Sequence, residues 1–150
     1  MLRFAEKHLG EVIQYYGYGA EYLPEEENEA INDFVSYMRT VKTVGFNYPA
    51  EGGEYMTLGE IELGGKKYYV LHIYVGVPGT EIMEICVQNS KLEALKMMER
   101  FIRDCIEEIR ERIMEGELEE EVKEHYNTEL YELEEQLKQI EKEIKALKSS

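Results

Sequence analysis

Tryptophan is absent from this chain, proline occurs three times, cysteine twice and histidine three times in 150 residues. Aspartate is nearly missing as well: of 32 acidic residues only Asp33 and Asp104 are not glutamate. No apolar run approaches the eighteen or so residues that cross a bilayer, so no membrane partner is expected. The opening Met1-Leu2-Arg3-Phe4-Ala5-Glu6-Lys7-His8 lacks the apolar stretch of a secretory leader, and a cytoplasmic protein is the expectation. Cys86 falls in a strand pattern and Cys105 on an apolar helix face, neither at the spacing of a metal or redox motif. His8, His72 and His125 have no ligand spacing, and Glu124-His125 lacks the second histidine of a zinc motif. Lysine and arginine total 17, giving a net charge of −15 with no basic stripe. Phosphate contacts need cations, so direct nucleic-acid binding is not expected.

What the chain does have is an unbroken apolar heptad near its end. Tyr126, Leu130, Leu133, Leu137, Ile140, Ile144 and Leu147 alternate spacings of four and three, the a/d seam of a coiled coil sustained for about three heptads. A stripe this narrow meets another helix. Residues 115–135 contain ten Glu against a single Lys123, whereas residues 136–148 carry Lys138, Lys142, Lys145 and Lys148, an order that complements the helix macrodipole. In a parallel dimer Glu129 would face Glu134 of the mate, which is repulsive. The seam therefore predicts a homo-oligomer through antiparallel helix pairing; folding back within the chain, or a different partner chain, are the alternatives.

Earlier in the chain, Leu2, Ala5, Leu9, Val12, Ile13 and Tyr16 follow helical spacing up to Gly17 and Gly19, which predicts a first helix. Pro24 before Glu25, Glu26 and Glu27 marks the start of a second, with Ala30, Ile31, Phe34, Val35, Met38 and Val41 on its buried face. Residues 54–63, 67–75 and 81–88 are rich in β-branched and aromatic side chains. Gly64-Gly65 suits a two-residue hairpin and Gly76-Val77-Pro78-Gly79 a longer loop. The middle strand is apolar on both faces, as a central strand is. Ser90 and Glu93 form a capping box for a third helix through Leu95, Met98, Ile102, Cys105, Ile106, Ile109 and Ile113; Gly116 ends or softens it before the fourth. The expected fold is α+β: two N-terminal helices, a three-stranded antiparallel meander, then two long C-terminal helices, the last with coiled-coil heptads. Residues 1–115 would form the core domain, and 116–150 a helix packed on that core or on a second subunit.

Catalytic signals are faint. His72 and Cys86 lie on neighbouring strands, yet a core cysteine and an interfacial histidine account for them. Glu60, Glu62 and Glu84 are explained by exposed strand positions, and the Gly-Val-Pro-Gly-Thr loop lacks a P-loop ending. No catalytic, metal or cofactor-binding residue is assigned. Two features point to a protein partner. Glu117, Glu120, Glu121 and Glu124 form an acidic block on the last helix, suited to a basic partner, although such blocks are commonly solvated faces. Tyr15, Tyr16, Tyr18 and Tyr22 crowd the end of the first helix, and tyrosine offers large amphipathic area at low entropic cost.

Abundant Glu, Lys, Ile and Tyr beside scarce Gln and Asn give the composition a thermophile-like bias. In size, charge and element order the chain resembles small acidic inhibitors of phages and archaeal viruses, including anti-CRISPR proteins. That resemblance implies inhibition of a nucleic-acid-processing complex by charge mimicry. The expected function is a non-catalytic acidic interaction module. The alternatives are an oligomeric structural or regulatory adaptor assembled through the last helix, and a small-ligand-binding protein or small enzyme using the sheet face.

Overall fold

The first fifteen or so residues fold as a short helix and a strand, not as one helix. In the computed structural model, which describes residues 1–16, 23–38, 47–48, 54–77 and 80–149, the elements are α1 (Leu2–Lys7), β1 (Val12–Tyr16), α2 (Glu25–Met38), β2 (Asn47–Tyr48), β3 (Glu54–Leu63), β4 (Lys66–Val77), β5 (Thr80–Gln88), α3 (Lys91–Met114) and α4 (Glu120–Lys148). Among the described residues the protein is α+β with four helices, as its periodicities predict. The expected order of two helices, three strands and two helices is overturned. Helices and strands interleave at the N-terminal end, and the meander is the centre of an antiparallel sheet in the order β1-β5-β4-β3-β2, with β2 only two residues long.

The physical reason lies in Gly10 and in the free edge of β5. Gly10, just past the end of α1, has a φ of +80°, a left-handed conformation open to glycine without strain, and its N–H donates to the Val87 carbonyl at 2.8 Å. Beyond it, Val12–Tyr16 pairs with β5 from Val12 opposite Cys86 to Tyr16 opposite Ile82. Ile13 and Tyr15 are buried while Val12 and Gln14 are exposed, the period of two that a half-buried strand requires. The same spacing satisfied a helical template because so short a window fits both periods.

Two compact units divide the chain, Met1–Ala94 and Leu95–Ser150. In the first, α1 and α2 supply Phe4, Ala5, Ala30, Ile31 and Phe34 to one sheet face, where they meet Ile13, Tyr15, Ile61, Tyr68, Val70, Ile85 and Val87. The opposite face carries Met56, Leu58, Leu71, Ile73 and Cys86, which are buried too, so β4 is apolar on both sides. Gly64 and Gly65, with φ of +59° and +79°, make the two-residue turn that sets Leu63 opposite Lys66. A Cβ on Gly64 would stand 2.9 Å from Leu2 Cδ2, a second reason for glycine there.

In the second unit α3 and α4 run antiparallel. Arg103 binds Glu141, Arg110 binds Glu134 at 2.7 Å, and Arg112 donates to the Tyr126 hydroxyl at 3.5 Å. Gly116, at φ +84°, ends α3 and opens the turn. The Ser90 hydroxyl accepts from the Glu93 N–H at 3.3 Å, the forward half of the expected capping box.

Candidate functional site

The hairpin of α3 and α4 brings a cluster of glutamates and Met114, the most exposed large apolar side chain among the described residues, to one end. Leu133, Ile140 and Ile144 of the heptad are buried; Tyr126, Leu130, Leu137 and Leu147 are half-buried. The helices pack within one chain, so these seam residues do not wait for a second copy to leave water. Alongside the seam runs a groove of about 680 Å³ with Ile106 and Leu137 among its lining. Of its charged walls, Arg103 pairs with Glu141 and Arg110 with Glu134, and Lys138 is held by Glu135.

At the turn the balance differs. Glu111, Glu115, Glu117, Glu119, Glu120, Glu121 and Glu124 are all exposed. Of the cations nearby, Arg112 is held by Glu108 at 2.7 Å, which leaves Lys123 to face this many carboxylates. The block singled out in the sequence, Glu117, Glu120, Glu121 and Glu124, therefore shares its site with the end of α3. Met114 projects from the same turn at 84% exposure, with Val122 also exposed. Periodicity alone gave no sign of Met114, because it sits where the apolar stripe of α3 runs out.

Deeper along α4, Glu129 Oε2 and Gln136 Oε1, one heptad apart, are buried without a hydrogen-bond partner among the described residues. Burial is the chief cause raising the Glu129 carboxyl above its ordinary range; Glu132 adds to the rise and His125 opposes it.

The tyrosine surface divides. Tyr15 lies in the core at 5% exposure, and its hydroxyl donates to Asn32 Oδ1, which withdraws the ring from the protein's surface. Tyr16 stands on β1 rather than at a helix end. Tyr18 and Tyr22 lie outside the described residues.

The remaining candidates for chemistry do not converge. Leu71 stands opposite Cys86, and His72 opposite Ile85. Adjacent positions on a strand point to opposite faces, so the imidazole and the thiol are separated by the sheet. Burial raises the Cys86 thiol above its usual range, against the hydrogen bond from Gln88, the reverse of what a nucleophile needs. Glu60 sits in the row of Tyr69 and Glu84 in the row of Ile73, four residues apart along β4 and on either side of it, too far for a carboxylate pair. His8 has one ring nitrogen 2.8 Å from Glu11 and the other 3.2 Å from Glu27, joining the end of α1 to the first turn of α2. Glu27 also accepts from Lys7 at 2.7 Å; that bond is the chief cause holding its carboxyl below the ordinary range, and His8 lowers it further. The two carboxylates grip opposite edges of one ring and share no central point. Among the described residues no group of three or more His, Cys, Asp or Glu is placed to hold a metal. None of the helices among them is long and apolar enough to cross a membrane.

The chain matches no protein-family model, no curated protein and no solved structure.

Proposed function

We propose that the protein is a non-catalytic interaction module that captures a basic partner at the acidic turn of its α3–α4 hairpin. The observation that carries this reading is the exposed Met114 at a rim of carboxylates without matching cations. Charge of one sign steers encounter and rejects wrong partners, while an apolar side chain in its midst supplies the desolvated contact that holds a complex. The fitting partner surface is cationic with an apolar pocket. Such surfaces line nucleic-acid-processing proteins, so the sharpest version is inhibition by mimicry of a phosphate backbone.

A defined probe tests it: titration of a fluorescent helical peptide bearing lysines on one face and leucines on the other, followed by anisotropy across a salt series. Glu120→Lys with Glu124→Lys should weaken capture several-fold at low ionic strength, with the difference shrinking as salt screens the field. Met114→Ser should lower affinity while leaving the salt dependence unchanged. Capture identical to wild type for both variants across the series would overturn the reading. For the mimicry version, the protein should displace duplex DNA from a basic DNA-binding domain, and the double variant should not.

A second reading, an adaptor that self-associates through α4, is favoured by Tyr131, which is 65% exposed on the flank of that helix away from Leu133 and Ile140. Sedimentation separates the two. An adaptor gains mass at micromolar concentration and loses it on Tyr131→Glu, whereas the module alone sediments as a monomer in both forms.

A further inference from the structure

At the end of the sheet where β4 begins, the first unit has a cleft of about 590 Å³ lined by Glu6 and Leu9 near α1, by Lys66, Lys67, Tyr68 and Tyr69 at the start of β4, and by Asn89 after β5. The size lies within the range of small-molecule sites, roughly 300–1,000 Å³. Two adjacent lysines are unusual in a chain of net charge −15. Both border the cleft because β5 ends at Gln88, opposite Tyr69, and leaves the first residues of β4 uncovered on that edge; alternation along the strand puts Lys66 and Lys67 on opposite sides of it. Lys66 has no ion-pair partner among the described residues. Lys67 sits 3.3 Å from Glu60, whose hydrogen bond is the chief cause holding the ammonium above its ordinary pKa. That keeps Lys67 charged, on an exposed pair that a stronger anion can displace.

We propose that this cleft binds a small organic phosphate with a flat ring and free hydroxyls, a nucleoside monophosphate being the simplest example. Each lining group supports a part of that description. Two lysines match the near −2 charge of a phosphomonoester, which ammonium groups engage as point charges. Half-buried Tyr69, on the face of β4 that Lys67 shares, offers an aromatic surface on which a ring can lie. Glu6 can only accept hydrogen bonds while ionised and would repel the phosphate, so it suits a hydroxyl or amino group at the far end of the ligand. The Asn89 amide can donate or accept. A bare phosphate ion would leave most of the volume unfilled. This site is separate from the hairpin turn and does not depend on the interaction reading.

The test is an amide chemical-shift titration of the full chain at low ionic strength with inorganic phosphate, adenosine 5′-monophosphate and adenosine. The monophosphate should shift Lys66, Lys67, Tyr69 and Asn89 and bind about tenfold or more tighter than either of the others, tenfold being the effect of one well-made extra contact. Lys66→Gln with Lys67→Gln should abolish the difference between monophosphate and adenosine, and Tyr69→Leu the difference between monophosphate and inorganic phosphate. All these positions are exposed or half-exposed, and an unchanged circular dichroism spectrum would confirm that the variants fold. Adenosine binding as well as its monophosphate would overturn the phosphate site, and inorganic phosphate binding equally well would overturn the organic ligand. Absence of shifts at millimolar concentration, or monophosphate binding at wild-type affinity in the lysine variant, would overturn the whole proposal.

Discussion

Cys86 illustrates how the sheet sets the reactivity of a single residue. Buried opposite Leu71, with its thiol pushed toward the neutral form, it should react with iodoacetamide at neutral pH far more slowly than a free thiol, and Cys105, also buried, likewise. Cys86→Ser should cost about 1–3 kcal/mol through a buried hydroxyl, read from denaturant unfolding. Rapid labelling of the native protein would contradict both statements. Glu129 gives a pH prediction of definite sign. Its carboxyl holds a proton more readily in the folded chain than in the unfolded one, so folding is favoured at pH values below the ordinary carboxylate range, where both states are protonated. That contribution is lost as pH rises through the folded pKa. Glu129→Gln should therefore raise the melting temperature at pH 7 and leave it nearly unchanged at pH 4, as followed by circular dichroism. Glu27 has the opposite sign. Its contribution is present above the ordinary carboxylate range and is lost as pH falls through its lowered value.

Among the elements, α4 was the most legible and β1 the least. The heptad predicted a long helix meeting another helix, and the described contacts place α3 beside it in the same chain. Leu133→Ala should cost about 2–5 kcal/mol, as for other fully buried leucines. If the seam is internal, the loss and the melting temperature should be independent of protein concentration. A transition that moves with concentration would show instead that chains share the seam. Gly116→Val should be costly too, because a β-branched residue is strained at φ +84°, by about 1–3 kcal/mol in thermal unfolding. The three central strands were legible from period-two alternation and the glycine turn, and their limits agree with Glu54–Leu63, Lys66–Val77 and Thr80–Gln88 to within a residue or two. Local spacing fits a helix at β1, whose five residues of Val, Ile, Gln and Tyr become a strand only through a partner, β5, that lies some seventy positions away.

For the whole molecule, the excess of carboxylates sets the response to salt. Exposed ion pairs such as Arg110–Glu134 are worth roughly 0–1 kcal/mol each and weaken on screening, but they are outnumbered by glutamates that repel one another near the hairpin turn. Raising ionic strength from about 0.01 M to 0.15 M shortens the screening length from roughly 30 Å to 8 Å. The melting temperature should rise over that interval, and the Glu120→Lys, Glu124→Lys variant should show a smaller rise. A fall for the wild-type chain would mean that attractive pairs outweigh the repulsion.

Composition and periodicity by themselves determined the class of the protein: helices where apolar residues recur every three or four positions, strands where they alternate, and an acidic surface. These are properties of local spacing and need no knowledge of the rest of the chain. Only the tertiary structure decided that residues 12–16 join the sheet, that Tyr15 leaves the surface, and that His72 and Cys86 face opposite ways. It also decided that Met114 stands bare among carboxylates and that Lys66, Lys67, Tyr69, Glu6 and Asn89 share one cleft. Each of those depends on pairing or packing between residues far apart in sequence, and its free energy belongs to the contact rather than to either segment.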